Sequence, residues 1–397
     1  MSKLAVVVSH PIPHFAPWHR EVERAGRIRQ RVLFCSDWGV GEKADADFGT
    51  TFKWDVPLTE GYEHEFLALR RPARRLSFRE IDNPSVALAL DRFDPDVVQV
   101  FGYAYRTNWR AVAWARRRGR PVLLYSDSNL NARRAAWKSV LREPVVRSFY
   151  RRVDGALAIG DNNRAYHLRY GLPEERVFPG VCPIDRARLL AAVPEPAAAR
   201  ARVRGAHGIP GDAFVVIACG KYVARKRMAD VASAVATLEA RGIPAWAMLV
   251  GEGPDRPALE RLIAQTGTRR VVLTGFVNQS RIPAYFAAAD VLAVPSEFDP
   301  HPLVVAEGAS FGLPVVASDQ LGCIGEHDSA QPGRNTLVFP CGDREALAGS
   351  IASLHADGAL RARMSAASTA ISEWQDARVA AEALARATDS LHRLGPR

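Results

Sequence analysis

The feature that most constrains this chain is a series of short, β-branched apolar runs separated by longer amphipathic stretches, and the series occurs twice. The first series covers residues 4–8, 31–35, 96–100, 121–125 and 155–159. The second covers residues 214–218, 245–250, 270–273, 290–294, 314–317 and 336–339. Such runs are typical of parallel strands that are buried on both faces and joined by helices. The sequence therefore predicts an α/β protein with two Rossmann-like, doubly wound parallel sheets.

The stretch between the two series has a different amino-acid composition. Residues 186–209 are rich in Ala, Arg and Pro without a strand pattern, and we interpret them as a connecting helix and linker. We expect a first lobe over residues 1–185, completed by a C-terminal helix at about 376–397, and a second lobe over residues 210–375. Ligands of open parallel sheets bind beyond the carboxyl ends of the strands, so we expect the chemistry in those turns, facing a central cleft.

Composition excludes several classes of protein. The 397 residues are 48% hydrophobic and 24% charged, as in a globular protein rather than a disordered or collagen-like one. No apolar run reaches the roughly 18 residues of a membrane span, and the apolar run at the N-terminus is too short for a signal-peptide core. Five widely spaced cysteines without a C-x-x-C pair favour a reducing compartment and no structural zinc. We therefore expect a cytoplasmic protein.

The chain is basic, with a formal net charge of +10. This charge is compatible with nucleic acid, an anionic membrane or a phosphorylated ligand. No RNA-recognition, zinc-finger or basic-zipper pattern accompanies it, so we expect no nucleic-acid partner. Residues 130–152 form a basic helical pattern that includes Trp137, Val145, Phe149 and Tyr150. This helix is either a surface helix with a core-facing aromatic stripe or a peripheral contact with an anionic membrane.

Two turns of the second series suit an anionic ligand. Lys221 and Lys226 lie in the turn that follows the strand 214–218, next to Gly220, on a loop that leads into a helix. Two lysines beside free backbone amides suit a diphosphate, although a solvated basic loop is the plainer interpretation. A second strand is followed by a tight glycine turn at Gly251.

A third turn follows the strand 290–294 and carries two carboxylates. Pro302 is a natural first residue of a helix that is expected to run to about Ser310. Asp299 would lie just before this helix and Glu307 a little more than one turn inside it, so both would face a ligand whose phosphates lie on the exposed amides at the helix start. Those amides belong to His301, Leu303 and Val304. Otherwise, Asp299 is a turn residue and Glu307 a solvated helix residue.

In order and spacing, these motifs together with residues 273–277 and 312–318 resemble those of family 4 glycosyltransferases, a resemblance that covers essentially the whole second lobe. It implies a GT-B fold and retaining transfer of a sugar from a nucleotide-diphosphate sugar to an acceptor hydroxyl, without a metal or other cofactor. The donor phosphate would help to take the acceptor proton. The acceptor would be a saccharide, a lipid-linked molecule or a small molecule, in the synthesis of a glycan, glycolipid or glycosylated natural product.

The resemblance also implies roles for single residues. Lys221 and Lys226 would neutralise the donor diphosphate, Glu307 would accept hydrogen bonds from the ribose hydroxyls, and Asp299 would hold hydroxyls of the donor sugar. The nucleobase would be read by the backbone of three consecutive residues. These are Gly275, Phe276 and Val277.

The chain departs from the family pattern at several positions. Two prolines and a histidine replace the usual glycine-rich turn, and His301 is expected to point toward sugar or phosphate. In the first lobe Asp127 stands where many members have a histidine, and it is expected to orient acceptor or sugar. His10 and His14 lie in a turn that is usually glycine-rich, so they become acceptor-side candidates with Tyr103. The two histidines are also compatible with metal ligands or packed turn residues.

Two other functions are also compatible with this sequence. A nucleotide-sugar epimerase of the same fold would convert the donor without an acceptor. A non-catalytic basic protein would bind a membrane or another polyanion and release no sugar.

Overall fold

The computed structural model describes residues 1–45, 49–131 and 136–397, which form two compact units. The first unit comprises Met1–Gly41, Pro57–Asp185 and Asp376–Arg397. The second comprises Glu42–Val56 and Arg186–Gln375. Within the described ranges, no helix combines the length and the hydropathy needed to span a bilayer.

The first unit is built on a seven-stranded parallel sheet in the order β5-β2-β1-β6-β7-β8-β9. Its strands are β1 (Ser2–Val8), β2 (Ile28–Phe34), β5 (His64–Phe66), β6 (Val97–Phe101), β7 (Val122–Tyr125), β8 (Gly155–Ala158) and β9 (Val177–Pro179). Its helices are α1 (Phe15–Ala25), α2 (Val86–Phe93), α3 (Arg106–Arg117), α4 (Ala136–Tyr150), α5 (Asp161–Arg169) and α14 (Ala377–Leu394).

The C-terminal helix α14 belongs to this first unit because one of its faces is made of small and apolar residues. Ala380, Leu384, Ala387 and Leu391 are buried, and α14 packs against α1 and β1. Alanines at helical spacing allow the helix to lie close to its neighbours. The backbone amide of Ala377 also donates to Ile184 O at 2.9 Å, so the chain re-enters the first unit directly beside the residue at which it leaves.

The second unit contains a six-stranded parallel sheet in the order β12-β11-β10-β13-β14-β15 and an antiparallel hairpin, β3 (Lys43–Asp45) and β4 (Thr50–Phe52). The strands are β10 (Phe214–Cys219), β11 (Ala245–Val250), β12 (Val271–Leu273), β13 (Val291–Val294), β14 (Val315–Ser318) and β15 (Thr336–Phe339). The helices are α6 (Arg186–Ala191), α7 (Pro196–Ala206), α8 (Met228–Ala240), α9 (Arg256–Thr266), α10 (Ile282–Ala287), α11 (Leu303–Ala309), α12 (Arg344–Ala356) and α13 (Gly358–Trp374).

The two predicted parallel sheets are confirmed, and every predicted strand lies within two or three residues of an observed one. The apolar runs locate these strands because their side chains are buried on both faces, as in β1, where Leu4 to Val8 are at most 1% exposed. The short strands β5 and β9, at the edges of the first sheet, have three residues each and were not predicted.

The observed units differ from the expected boundaries in two places. Residues 42–56 were expected in the first lobe, but they belong to the second unit, where the Phe52 ring lies 4.7 Å from the Phe276 ring. Residues 186–209 were expected to form a connecting helix and linker between the lobes, but α6 and α7 pack within the second unit. Arg204 of α7 is 1% exposed and its guanidinium donates to Ala288 O at 2.9 Å and to Asp290 Oδ2 at 2.9 Å. Both differences depend on contacts between residues distant in sequence.

Candidate functional site

Three turns of the second unit are joined through their backbones. The Gly220 amide donates to Val250 O at 2.9 Å, and the Gly251 amide donates to Gly275 O at 3.1 Å. Gly251 has φ +149°, and a Cβ at this residue would lie 1.9 Å from Gly220 O. Only glycine allows this approach of two main chains. The turns after β10, β11 and β12 therefore form one continuous backbone surface at the carboxyl ends of adjacent strands.

Lys226 is positioned by a short 3-10 turn, Ala224–Lys226, that leads into α8. The next residue, Arg227, has φ +52°, a conformation that few non-glycine residues adopt. Its Nε donates at 2.6 Å to Asp230, a buried residue that also accepts from Arg344 at 2.9 Å. These contacts hold the Lys226 side chain next to Gly220, where a Cβ would lie 3.8 Å from the Lys226 methylenes. Lys221, in the same turn, is half-buried.

Asp299 lies at the other side of this turn and forms an ion pair with Lys226. Asp299 is 8% exposed, and its carbonyl accepts from the Gly322 amide at 2.9 Å. Its segment is also anchored to the lysine turn, because the Glu297 amide donates to Arg225 O at 2.8 Å. The sequence had suggested separate roles for Lys226 and Asp299, and the structure brings the two side chains into direct contact.

Glu307 borders the same turn from α11. Burial raises its pKa to about 7, against the opposing effect of the Arg188 charge. Burial raises the pKa of the Cys219 thiol, and the Glu307 charge raises it further. Because this charge acts on the thiol, Glu307 lies close to Cys219. Cys219 directly precedes Gly220, so Lys226 and Glu307 adjoin the same turn. Sequence reasoning missed Arg188, which it had placed in the presumed linker.

The start of α11 differs in detail from the expectation. Pro302 is the N-cap in an extended conformation, not the first helical residue, so Leu303 and Val304 contribute the first two helical amides. In the described part of the chain, His301 Nε2 is buried and has no hydrogen-bond partner. Burial also lowers the pKa of His301 to about 4, so its ring is neutral at pH 7. That His301 contacts sugar or phosphate stays a prediction.

The segment expected to read the nucleobase, Gly275 to Val277, is covered by the hairpin β3–β4. Besides the contact of Phe276 with Phe52, Asn278 Nδ2 donates to Lys53 O at 2.7 Å. Phe52 was not among the predicted site residues, because nothing in the sequence around it indicates that it packs against a segment more than two hundred residues away.

In the first unit, several candidates meet at the carboxyl edge of the sheet. His10 Nδ1 lies 2.9 Å from Ser9 Oγ, just after β1. Burial raises the pKa of Tyr105, a hydrogen bond with Ser9 lowers it, and the nearby Asp127 carboxylate adds to the rise. Asp127 therefore lies close to Tyr105. His14 is the N-cap of α1 and its ring contacts that of Phe15, with centroids 4.2 Å apart.

The turn that carries Asp127 is fixed by Asn163, a residue that the sequence did not single out. Its Nδ2 donates to Ser126 O at 2.9 Å and to Ser128 O at 2.7 Å, and its Oδ1 accepts from the Ile159 amide at 3.0 Å. Asn163 is 3% exposed. Satisfying three backbone groups from a buried amide holds this turn in one conformation.

Tyr103 is held by its neighbours at the same sheet edge. Its hydroxyl lies 3.0 Å from that of Tyr166, and its ring packs against Phe149 with centroids 5.7 Å apart. A contact with an acceptor stays a prediction. Within the described ranges, no group of three or more His, Cys, Asp or Glu side chains is placed to hold a metal ion, so His10 and His14 belong to no such group.

Comparison with protein-family models gives two matches that together cover most of the chain. Residues 199–370 match the model described as glycosyl transferases group 1. Residues 13–179 match the model described as glycosyl transferase 4-like domain. The first match contains the lysine turn, Asp299 and Glu307, and the second contains His14 and Asp127.

Relatives with curated descriptions align over part of their length. The lipopolysaccharide core biosynthesis glycosyltransferase LpsD of Rhizobium meliloti is 36% identical over 45% of this chain and 49% of its own. The alpha-D-kanosaminyltransferase of Streptomyces kanamyceticus is 31% identical over 42% of each chain. The chain thus spans about half of the length of these relatives.

Solved structures match over nearly the full length. Anabaena Alr3699/HepE, crystallised with UDP, has a TM-score of 0.74 at 18% identity and covers 98% of this chain and 100% of its own. WaaG, a glycosyltransferase involved in lipopolysaccharide biosynthesis, has a TM-score of 0.65 at 17% identity over 96% of this chain and 98% of its own. These likenesses show the fold. With the two family models, they establish that the chain belongs to the family 4 glycosyltransferases of GT-B fold.

Proposed function

We propose that the protein is a metal-independent, retaining glycosyltransferase that moves a sugar from a nucleotide-diphosphate sugar to an acceptor hydroxyl. One observation carries the proposal: Lys226, Asp299 and Glu307 border a single turn at Gly220, which is joined by backbone bonds to the turns at Gly251 and Gly275. An ammonium group and two carboxylates in one place suit a ligand that combines a diphosphate with sugar hydroxyls.

In the proposed reaction, the bond between the sugar C1 and the donor phosphate oxygen breaks. A bond from C1 to the acceptor oxygen forms on the same face, and the acceptor proton passes to a diphosphate oxygen. Negative charge therefore grows on the diphosphate. Lys226, aided by Lys221, stabilises this charge from a fixed position, which is the largest contribution expected of the protein.

The ion pair with Asp299 fits this role. A half-buried ammonium group without a partner would be costly, and Asp299 compensates its charge while holding it beside Gly220. A bound diphosphate would then share Lys226 with Asp299. The second carboxylate oxygen of Asp299 would accept a hydrogen bond from a hydroxyl of the donor sugar. Glu307 would accept hydrogen bonds from the ribose hydroxyls, and its carboxylate is the better acceptor when it is ionised.

The nature of donor and acceptor is supported by the related proteins. Alr3699/HepE has been crystallised with UDP and with UDP-glucose, which supports a nucleotide-sugar donor here. Relatives are named for lipopolysaccharide core synthesis, for kanosaminyl transfer and for mannosyl transfer to a phosphatidylinositol monomannoside. We assign the acceptor, a saccharide, lipid-linked molecule or small molecule, to the first unit, near Asp127, His10, His14 and Tyr103.

Helix α4 supports the proposal of a peripheral membrane contact from the cytoplasmic side. Val140, Leu141 and Val145 are 70%, 67% and 50% exposed, whereas Phe149 and Tyr150 are fully buried. The expected aromatic stripe thus faces the core while aliphatic side chains face outward, near exposed arginines. Such a face favours an anionic lipid surface. The neighbouring residues 132–135 lie outside the described ranges, as does the side chain of Trp137.

The membrane contact is tested by co-sedimentation with phosphatidylglycerol vesicles. The double variant Val140→Ser and Leu141→Ser should lose binding, whereas the control Leu88→Ser, which changes another exposed leucine, in α2, should retain it. Equal binding of both variants would contradict the contact.

The reaction is tested by incubating the full chain with a panel of nucleotide-sugars and saccharide or lipid-linked acceptors. We expect nucleoside diphosphate release that depends on the acceptor, product with the anomeric configuration of the donor by NMR, and an unchanged rate in EDTA. Epimerised donor in the absence of acceptor would indicate the epimerase. Binding of polyanions without sugar release from any donor would indicate the non-catalytic alternative.

A further inference from the structure

The first unit contains a cavity of about 530 Å³ that none of the assigned roles uses. Five arginines contribute to its lining, four from the loop after β5 and one from the first residue of α3. They are Arg70, Arg71, Arg74, Arg79 and Arg106. Arginine presents a planar fork of donors that matches the oxygens of a phosphate group.

The two acidic residues of the lining are engaged in building the cavity. Asp82 is 3% exposed and accepts from Arg110 Nε at 2.5 Å, with Arg106 at 3.4 Å. Glu80 accepts from the backbone amides of Arg74 at 2.6 Å and Arg75 at 3.1 Å, and so closes the turn between them. Neither carboxylate is available to neutralise the remaining guanidinium groups.

Three of the arginines have uncompensated charge. In the described ranges of the chain, no carboxylate lies within 4.0 Å of the guanidinium groups of Arg71, Arg74 or Arg79. Each of the three is exposed to solvent, so holding its charge costs little in the free protein. Together they give the cavity an excess of positive charge that an anion can neutralise.

The loop that carries them is fixed before any ligand arrives. The Arg70 amide donates to Asp82 O at 2.8 Å, and the Ile81 amide donates to Ser77 O at 3.0 Å. Ile81 is fully buried, and Asn83 donates to Cys35 O and Leu67 O, both at 2.9 Å. A loop anchored in this way loses little conformational entropy when it binds a ligand.

The cavity also lies at the edge of the sheet where an acceptor is expected. Its loop follows β5, and α3 follows β6, so the lining comes from the carboxyl ends of parallel strands. His10 and Asp127 follow β1 and β7 at the same edge. A substrate group held by the arginines would be bound by the same face of the unit as these two side chains.

We propose that this arginine cavity binds a phosphate or diphosphate group of the acceptor substrate. The identification of the ligand as the acceptor rests on the proposed function, whereas the binding of phosphate does not. A carboxylate would engage one guanidinium, whereas a diphosphate offers enough oxygens to engage several. The group comes either from a water-soluble phosphorylated saccharide or from the headgroup of a lipid-linked one.

The test uses inorganic pyrophosphate as probe and isothermal titration calorimetry of the full chain in a Lys226→Ala background, which weakens the donor diphosphate site. The double variant Arg74→Gln and Arg79→Gln should bind pyrophosphate at least about tenfold more weakly. The matched control, Arg27→Gln with Arg117→Gln, removes two other exposed arginines of the first unit and should bind as the parent does. Equal affinity of the two double variants would overturn the proposal.

The source of the phosphate is identified by vesicles of phosphatidylglycerol against vesicles of phosphatidylcholine. If the group is a lipid headgroup, the cavity variant also loses binding to the anionic vesicles relative to the control. If it is soluble, vesicle binding is unchanged while pyrophosphate binding falls. Nucleotide binding and thermal unfolding of the cavity variant, measured with Lys226 intact, should equal those of the parent. Absence of sugar transfer by the parent chain would reject the proposed function and leave the pyrophosphate result valid.

Discussion

The two units hold their candidate site residues by different means. In the second unit, neighbouring turns are joined main chain to main chain, from Gly220 through Gly251 to Gly275. In the first unit, the turn of Asp127 depends on one buried side chain, Asn163, from a different element. A backbone joint, in which main-chain hydrogen bonds connect neighbouring turns, tolerates many side chains but forbids a Cβ at the position of closest approach, here Gly251. A side-chain joint tolerates backbone variation but requires one residue type.

This difference explains why the family motifs can be recognised in the sequence of the second unit but not in that of the first. Glycine turns and the lysines beside them recur at fixed spacing after successive strands, so the second unit resembles its family in sequence. The first unit has the same strand architecture, but Asp127, His10 and His14 replace the usual residues of its turns.

The largest effect is expected for Gly251→Ala. The new Cβ would lie 1.9 Å from Gly220 O, so the turns must separate, at a cost of at least about 3 kcal/mol in the free energy of unfolding and with loss of detectable donor binding. Gly242→Ala is the control, because Gly242 also has positive φ but has nothing within 4 Å of the added Cβ. It should cost about 1 to 2 kcal/mol. Denaturant unfolding that ranks the two variants equally would break the idea of a backbone joint.

The next effect is expected for Lys226→Ala and for Glu307→Ala. Each removes a charged contact that we propose to the donor, and we expect kcat/KM to fall at least about a hundredfold. Arg225→Met, which changes an exposed cation in the same turn, should stay within about threefold of the parent. Near-normal turnover of the Lys226 variant with the best donor of the panel would refute its assignment.

In the first unit, Asn163→Asp should lower kcat about thirtyfold while the KM for donor stays unchanged. The substitution keeps the acceptor for the Ile159 amide but removes both donors to the Ser126 and Ser128 carbonyls. If Asn163 only stabilised the fold, the variant would have a lower thermal stability but would not show a reduced kcat with an unchanged KM for donor. A parallel rise in the KM for donor would show that the two units are not independent in this respect.

The smallest effect is a pH dependence of donor binding. Glu307 has a pKa of about 7 in the free protein, so its ionised fraction, and with it the affinity for nucleoside diphosphate, should rise about tenfold between pH 6 and pH 8. Glu307→Gln should bind weakly and show no such rise. Titration calorimetry at the two pH values measures this, and a parent affinity that does not change with pH would contradict the role of Glu307.

The same pKa has a consequence for stability. Because burial raises the pKa from 4.5, the folded protein binds this proton more tightly than the unfolded chain does. The contribution of Glu307 to the free energy of unfolding therefore falls as pH rises from about 4.5 to about 7. Relative to the parent, Glu307→Gln should therefore gain stability as the pH rises from about 4.5 to about 7.

The fold and the order of the site motifs were predictable because their signals are local. A strand buried on both faces is marked by its own apolar residues, and a glycine turn by its own sequence. The end of α11 close to Ser310 and the position of Lys226 in the turn after β10 followed from this. The ion pair of Lys226 with Asp299 was not predicted, since the two residues are 73 positions apart and their separation depends on how β10 and β13 pair.

The sequence by itself determined the two parallel sheets, the strand ends at which a ligand is expected and the family to which the chain belongs. Tertiary structure alone decided that hairpin β3–β4 covers Phe276, that Asn163 holds the turn of Asp127 and that five arginines surround one cavity. The reason is physical: burial and turn geometry act on neighbours in the chain, whereas hydrogen bonds and charges act on neighbours in space, which a single sequence does not specify.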